Sequence, residues 1–216
     1  MNRIAAVAVL CVVCAFVGGC DPRAGDKEEI RQVFADFESY NQHGNGKAIL
    51  DVFTEGSYPV YETLIKVALD GSREEVRKLG ASHRLEVFRM RARGKRAELE
   101  KLNGKQYTEF ATSRRWYSMP AELYVESSLE RFRFKEVEAT AELVNDGERT
   151  RVRIRFVREG DRWKLDEPAA TLEWDKELAA EARREGVPLD EYLLEWLELE
   201  LGREVDRERV WKAMGK

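Results

Sequence analysis

The sequence predicts an α+β fold: an antiparallel sheet packed on helices, with a helical insert ahead of the sheet and a helical C-terminal extension behind it. Three observations carry that expectation. Polarity alternates residue by residue through most of Arg131 to Glu167, two tight-turn signals interrupt the alternation, and the apolar residues on either side recur at helical spacing instead.

The first 19 residues read as a signal peptide rather than as part of the fold. Arg3 supplies a positive charge, Ile4 to Val17 an apolar run, and Val17-Gly18-Gly19-Cys20 a processing site. The run is shorter than the roughly 20 residues a helix needs to cross a bilayer. The tetrad resembles the bacterial lipobox. That resemblance implies that Cys20 becomes the first residue of the mature chain and carries acyl chains, palmitate among them. Two or three such chains anchor stably where one is marginal. Cys11 and Cys14 leave with the leader, so the mature chain has no second cysteine for a disulfide and no cysteine metal site. Asp21 follows directly and is similar to the residue that retains lipoproteins in the inner membrane of some Gram-negative envelopes. The implied location is the bacterial cell envelope, on a membrane and facing the periplasm or the exterior.

Of the 216 residues 36% are charged and 43% hydrophobic, a globular composition. The formal net charge is −4, and loss of the leader with Arg3 leaves 36 basic against 41 acidic residues, or −5. No global basic field recruits nucleic acid.

Residues 20–25 read as a short tether. Asp26 with Glu29 three positions on predicts a capping box, and Ile30, Val33, Phe34, Phe37 and Tyr40 line one helical face. Asn41 to Gly46 breaks that helix, and Ala48, Ile49, Val52 and Phe53 mark a short second one. Residues 57–116 read as an insert of short helices: Pro59 suits a first turn, Ser72-Arg73-Glu74-Glu75 is a second capping box, and Gly71, Gly80, Gly94 and Gly104 are breaks. Met119-Pro120 ends the insert, and Tyr124 to Phe134 leads into the sheet.

In the sheet, a type I′ turn at Asp146-Gly147 places Asn145 opposite Glu148. Stepping outward pairs Leu143 with Thr150, Ala141 with Val152, Ala139 with Ile154 and Val137 with Phe156. The other face then sets Glu142 against Arg151, Thr140 against Arg153 and Glu138 against Arg155. The turn at Gly160-Asp161 brings Leu165 beside Phe156 and Asp166 beside Arg155. Arg131 to Lys135 alternates out of phase with Val137-Ala139-Ala141, which predicts a bulge or tight turn near Lys135-Glu136 and a bent or additional strand. After Pro168 the helical pattern returns over Asp175 to Glu185, Pro188 to Leu201 and Asp206 to Met214.

Two early helices followed by antiparallel strands ending in Val157-Arg158-Glu159-Gly160-Asp161-Arg162-Trp163-Lys164-Leu165-Asp166 resemble the nuclear transport factor 2-like superfamily. The resemblance covers Asp26 to Thr54 and Leu129 to Glu167. It implies a cone-like domain over residues 26–167, in which a curved sheet wraps helices, with residues 168–216 as the extension. Ser82-His83-Arg84-Leu85-Glu86-Val87-Phe88 and the helical tail also resemble uncharacterised bacterial lipoproteins.

Enzymes of that superfamily, isomerase-like and dehydratase-like, set an acid or histidine in an apolar cone. Here the inward face offers hydrocarbon, with only Thr150 and Glu167 polar at its edges, so no catalytic residue is assigned. Glu167 either ends a strand facing solvent or serves as an acid; Tyr40 and Asp51 are the other candidates if the helices are turned differently. His43 and His83 both read as surface residues at a spacing unsuited to a shared metal, and no cofactor motif occurs. Arg84, Arg89, Arg91, Arg93, Lys95 and Arg96 form the one basic cluster. It reads either as a patch for anionic headgroups or an acidic partner, or as a solvated helix face balanced by Glu98 and Glu100. Leu189, Tyr192, Leu193, Trp196, Leu197 and Leu201 make an apolar stripe that packs inward or, through Trp196 with Leu194 and Leu199, offers a partner surface. The expectation that results is a lipid-anchored envelope protein with a non-catalytic binding or scaffolding role toward an envelope protein. A small-molecule-binding or enzymatic cone is the alternative.

Overall fold

A computed structural model describes residues 21–117 and 126–215. The signal peptide, Cys20, Met119-Pro120 and Tyr124 lie outside the described residues. The fold is α+β, as the alternation and the helical periodicities predict. The first helix, α1 (Ala24–His43), is followed by α2 (Gly46–Ile49), a 3-10 turn (Glu55–Ser57) and α3 (Tyr58–Asp70). Next come α4 (Arg73–Arg77), α5 (Ala81–Arg93), α6 (Arg96–Leu99) and α7 (Gly104–Ser113). The sheet contains β1 (Ser127–Lys135), β2 (Glu138–Asn145), β3 (Glu148–Glu159) and β4 (Arg162–Leu165), in that order and antiparallel throughout. Three helices close the chain: α8 (Glu167–Glu185), α9 (Leu189–Leu201) and α10 (Arg207–Trp211).

The sheet keeps its predicted faces but not its predicted register. Asn145 does pair with Glu148 across the Asp146-Gly147 turn, where both central residues have positive φ. Beyond Val144 and Arg149 the ladder slips by two residues, so Ala141 meets Ile154 and Ala139 meets Phe156. Thr150 absorbs the slip: its hydroxyl donates to the Leu143 carbonyl at 2.9 Å and accepts from the Val152 amide at 3.1 Å. Because side chains alternate with period two, a two-residue shift leaves every residue on its original face. Val152, Ile154 and Phe156 therefore stay buried. The charge partners move accordingly. Glu142 faces Arg153, not Arg151, and Arg155 reaches both Glu138 at 2.6 Å and Asp166 at 3.2 Å.

The phase change near Lys135 is a two-residue turn at Glu136-Val137, and β1 is the additional strand. Val137 is consequently a turn residue, 52% exposed, rather than the inward partner of Phe156. A second irregularity at Arg131, with φ 49°, shifts the inward side chains of β1 from Leu129 to Phe132 and Phe134. At the opposite edge of the sheet the hairpin follows the prediction, with Phe156 opposite Leu165 and the Asp166 amide bonded to the Arg155 carbonyl. The segment Val52–Thr54 runs parallel beside β4 and hydrogen-bonds to Leu165 from both sides.

Two hydrophobic cores result. The inner face of the sheet, with Ala139, Ala141, Ile154, Phe156, Trp163 and Leu165, packs on Ile30 and Phe34 of α1, Ile49 of α2 and Ala170 of α8. The insert and the C-terminal helices share the second core, built around α5 from Leu64, Leu85, Phe88, Tyr107, Leu193, Leu197 and Trp211. Gly71, Gly80, Gly94 and Gly104 all stand at helix ends, and Ser72 with Glu75 forms the capping box in full. Asp26 and Glu29 do not cap α1, which begins two residues earlier. They reach across to the sheet instead: Asp26 accepts from the Trp163 indole at 3.0 Å and Glu29 from the Trp163 amide at 2.9 Å.

Candidate functional site

The helix α5 sets the site. Leu85 and Phe88 lie nearly opposite Val87 and Met90 around its axis, and all four are buried, so the helix is enclosed on every side. Its sequence is nevertheless rich in charge. A buried charge must be paired and hydrogen-bonded, because desolvation otherwise costs several kcal/mol, and the neighbouring helices supply the partners.

Glu86 is the hub. Its Oε1 accepts from the hydroxyls of Tyr107 on α7 and, at 2.8 Å, of Tyr117, while its Oε2 accepts from Arg89 at 2.9 Å. Arg89 in turn forks onto Glu200 of α9, with its Nε 2.9 Å from Oε2 and a second bond from Nη2 to Oε1. The Trp196 indole donates to the same Glu200 at 2.9 Å, and Arg93 lies at 4.0 Å from it. Burial alone would lower the Arg89 guanidinium, but Glu200 and Glu86 more than offset it and hold it well above its ordinary range. Burial, reinforced by the Glu86 charge, pushes Tyr107 and Tyr117 far up, so both phenols stay protonated and donate.

Glu167 continues this set at the start of α8. Rather than ending a strand in solvent, it turns inward. Its Oε1 accepts from Thr171 at 2.7 Å, its Oε2 is shut off from solvent, and Tyr61 is the phenol beside it. Burial first, then the Glu86 and Asp166 charges, raise its carboxyl to about 7. Such a value suits general acid–base chemistry. Among the groups around it are Thr171, Tyr61 and Glu86.

The six basic residues of the insert do not form a surface patch, nor a solvated face. Arg84 bonds the Arg77 and Leu79 carbonyls at 2.6 and 3.0 Å and pairs with Asp190 of α9. Arg91, 1% exposed, donates to the carbonyls of Val67, Ala68 and Gly71 at the end of α3 and of Val210 on α10. Arg96 bonds the Leu69 and Met214 carbonyls and Asp70. With Arg89 and Arg93 held by Glu200, only Lys95 of the six stands fully exposed. Arg84, Arg91 and Arg96 bond carbonyls near helix C-termini, and Arg84, Arg89, Arg91 and Arg96 stitch the tail to the insert.

The partner-surface candidates separate as well. Leu194 is buried, Trp196 is half-buried against Glu200, and Leu199 alone is exposed, at 53%. Tyr40 packs half-buried on the sheet core, and Asp51 is an exposed residue paired with Arg162 at 3.7 Å. His43 sits at the exposed end of α1, whereas His83 is half-buried and lowered by that burial. Among the described residues no group of His, Cys, Asp and Glu is gathered for a metal ion, and no helix is long and apolar enough to cross a membrane.

Two cavities are lined by other residues. A cavity of about 450 Å³ between α5 and the C-terminal segment is lined by Arg91, Lys95, Arg96, Arg209 and Lys212, with Asp206 and Glu208 opposing them. A neighbouring one of about 440 Å³ is lined by Ser72, Arg73, Glu208 and Trp211, among others. Neither is lined by Glu167 or Glu86. Comparison with family models, with characterised proteins and with solved structures gave no match.

Proposed function

We propose that this chain is a membrane-anchored lipoprotein of the bacterial envelope with a non-catalytic binding or scaffolding role. One observation carries the anchor: an apolar leader ends in Val17-Gly18-Gly19-Cys20, directly followed by Asp21. Support for the non-catalytic role comes from the packing. Helices α1, α2 and α8 cover the inner face of the sheet, and buried Glu86, Arg89 and Glu200 are committed to one another. On this reading the likeness to the nuclear transport factor 2-like superfamily is one of architecture, and binding belongs to the outer surfaces. Replacing Cys20 with serine is expected to move the protein from the membrane to the soluble fraction. Unchanged retention would refute the anchor. Crosslinking in the intact envelope then identifies the protein that is bound.

Glu167 favours a second reading, an isomerase-like or dehydratase-like cone, because its carboxyl titrates near neutrality. That reading needs a ligand-sized opening onto Glu167, and the two cavities above lie away from it. Soaking with apolar carbonyl compounds and observing a chemical-shift change at Thr171 or Tyr61 would support it.

A further inference from the structure

Three features meet at one end of the sheet. The first turn of α1 is fixed there, because Asp26 binds the Trp163 indole at 3.0 Å and Arg158 at 3.4 Å, and the Arg23 guanidinium lies over the Phe134 ring. The Glu136-Val137 turn is there too, its Val137 carbonyl accepting from the Arg158 amide at 2.8 Å. So is the Gly160-Asp161 turn, which joins β3 to β4. The Asp146-Gly147 turn marks the far end, about 25 Å away along β2 at 3.4 Å per residue.

Asp21, which follows Cys20 directly in the sequence, belongs to this end. Asp21 is itself held on α1: its carbonyl accepts from the Ala24 amide at 2.9 Å, and its carboxylate from the Arg23 amide at 2.9 Å and from Lys27 at 2.5 Å. Consecutive Cα atoms are about 3.8 Å apart, so an acyl group on Cys20 starts beside this surface. Val137, exposed like Leu172, Trp174 and Leu199 among the described residues, projects from the same end.

From this geometry we infer that the end of the sheet bearing Val137, Asp161 and the start of α1 is a membrane-contact surface seated on the headgroups of the bilayer. The inference rests on the acylation of Cys20 proposed above. The occupant is the lipid surface, because chain length leaves no room for a protein between this end and the anchor. Lys135 and Arg162 stand beside Glu136 and Asp161, so the contact draws on proximity and on Val137 rather than on net charge. Two or three acyl chains supply the affinity, and the surface supplies orientation. The far turn is left free of the requirement to touch lipid.

The mature chain's only cysteine, Cys20, is consumed by the lipid, so Val137→Cys, Asp161→Cys and Glu148→Cys each create a single free thiol. Acylated full-length protein, labelled at that thiol with a fluorophore, is placed in phosphatidylethanolamine–phosphatidylglycerol vesicles containing a headgroup nitroxide. Quenching at 137 and 161 is expected to exceed that at 148 by several-fold, with little change on adding salt. Equal quenching at the three sites, or stronger quenching at 148, would overturn the orientation. Mass spectrometry of the N-terminal peptide separates the two claims: an unmodified Cys20 defeats the anchor and the surface with it, whereas an acylated Cys20 with strong quenching at 148 defeats the surface alone.

Discussion

The two cores of this protein are built by opposite means. The sheet core is hydrocarbon apart from the Trp163 indole and the Tyr58 hydroxyl, which find partners in Asp26 and the Leu50 carbonyl, and the buried polar residues beside it, Thr54 and Ser57, are uncharged and bond each other. The helical core encloses Arg91, Glu86 and Arg84 and is crossed by the Glu86–Arg89–Glu200 chain. Charge in the sequence therefore reports exposure correctly in the sheet and misreports it in the helical core. The arginines of β3 alternate cleanly and lie outside, while the denser cluster on α5 lies inside. Burial of the first core stabilises in proportion to the apolar area removed from water. The second stabilises only while every charge keeps its partner.

The largest predicted effect comes from breaking one member of the ionic set. Arg89→Met leaves Glu86 and Glu200 buried without their cation and should cost about 3–5 kcal/mol at pH 8. The loss should shrink at pH 5, where the stranded carboxyls can take up protons, as urea denaturation at the two pH values will show. Ile154→Val in the sheet core should cost only about 0.5–1.5 kcal/mol, and equally at both. A pH-independent loss for Arg89→Met would erase the distinction between the cores.

Glu167 sharpens the same contrast. Its folded carboxyl titrates at about 7, above the ordinary 4.5, so between those values the folded state holds a proton that the unfolded state has released. Stability should therefore fall as pH rises through this window, by up to about 3 kcal/mol. Glu167→Gln cannot ionise and should flatten that fall while keeping an acceptor for Thr171. The smallest effect is local: Ser72→Ala removes the cap of α4 and should cost about 1 kcal/mol at any pH, readable as a shift in the urea midpoint.

Much of the fold is legible wherever local chemistry decides it. Four glycines punctuate the insert because helix ends need residues that leave the helical conformation or admit close neighbours. At Gly80 a Cβ would collide with Asp175, whose carboxylate takes the Ser82 amide at 2.6 Å at the start of α5. Asn145-Asp146-Gly147 specifies its turn for the same kind of reason. What stays hidden is tertiary. Nothing near Thr150 announces that its hydroxyl will stand in for a ladder bond, and nothing near Asp26 says that Trp163 will claim its carboxylate. The arginines of α5 mislead because periodicity records hydrophobicity and not partners that are more than 100 residues away, as Asp190 and Glu200 are. One signal did exist: Leu85, Val87, Phe88 and Met90 occupy opposite sides of one helix, the mark of a helix enclosed all round.

The proposed function rests on a lipid anchor at Cys20, and one measurement tests that anchor most directly. Intact mass and fragment spectra of the protein purified from membranes should show Cys20 as the first residue, carrying a diacylglyceryl group with or without an N-acyl chain. A mature N-terminus at any other residue, or an unmodified Cys20 on membrane-bound protein, would contradict the account.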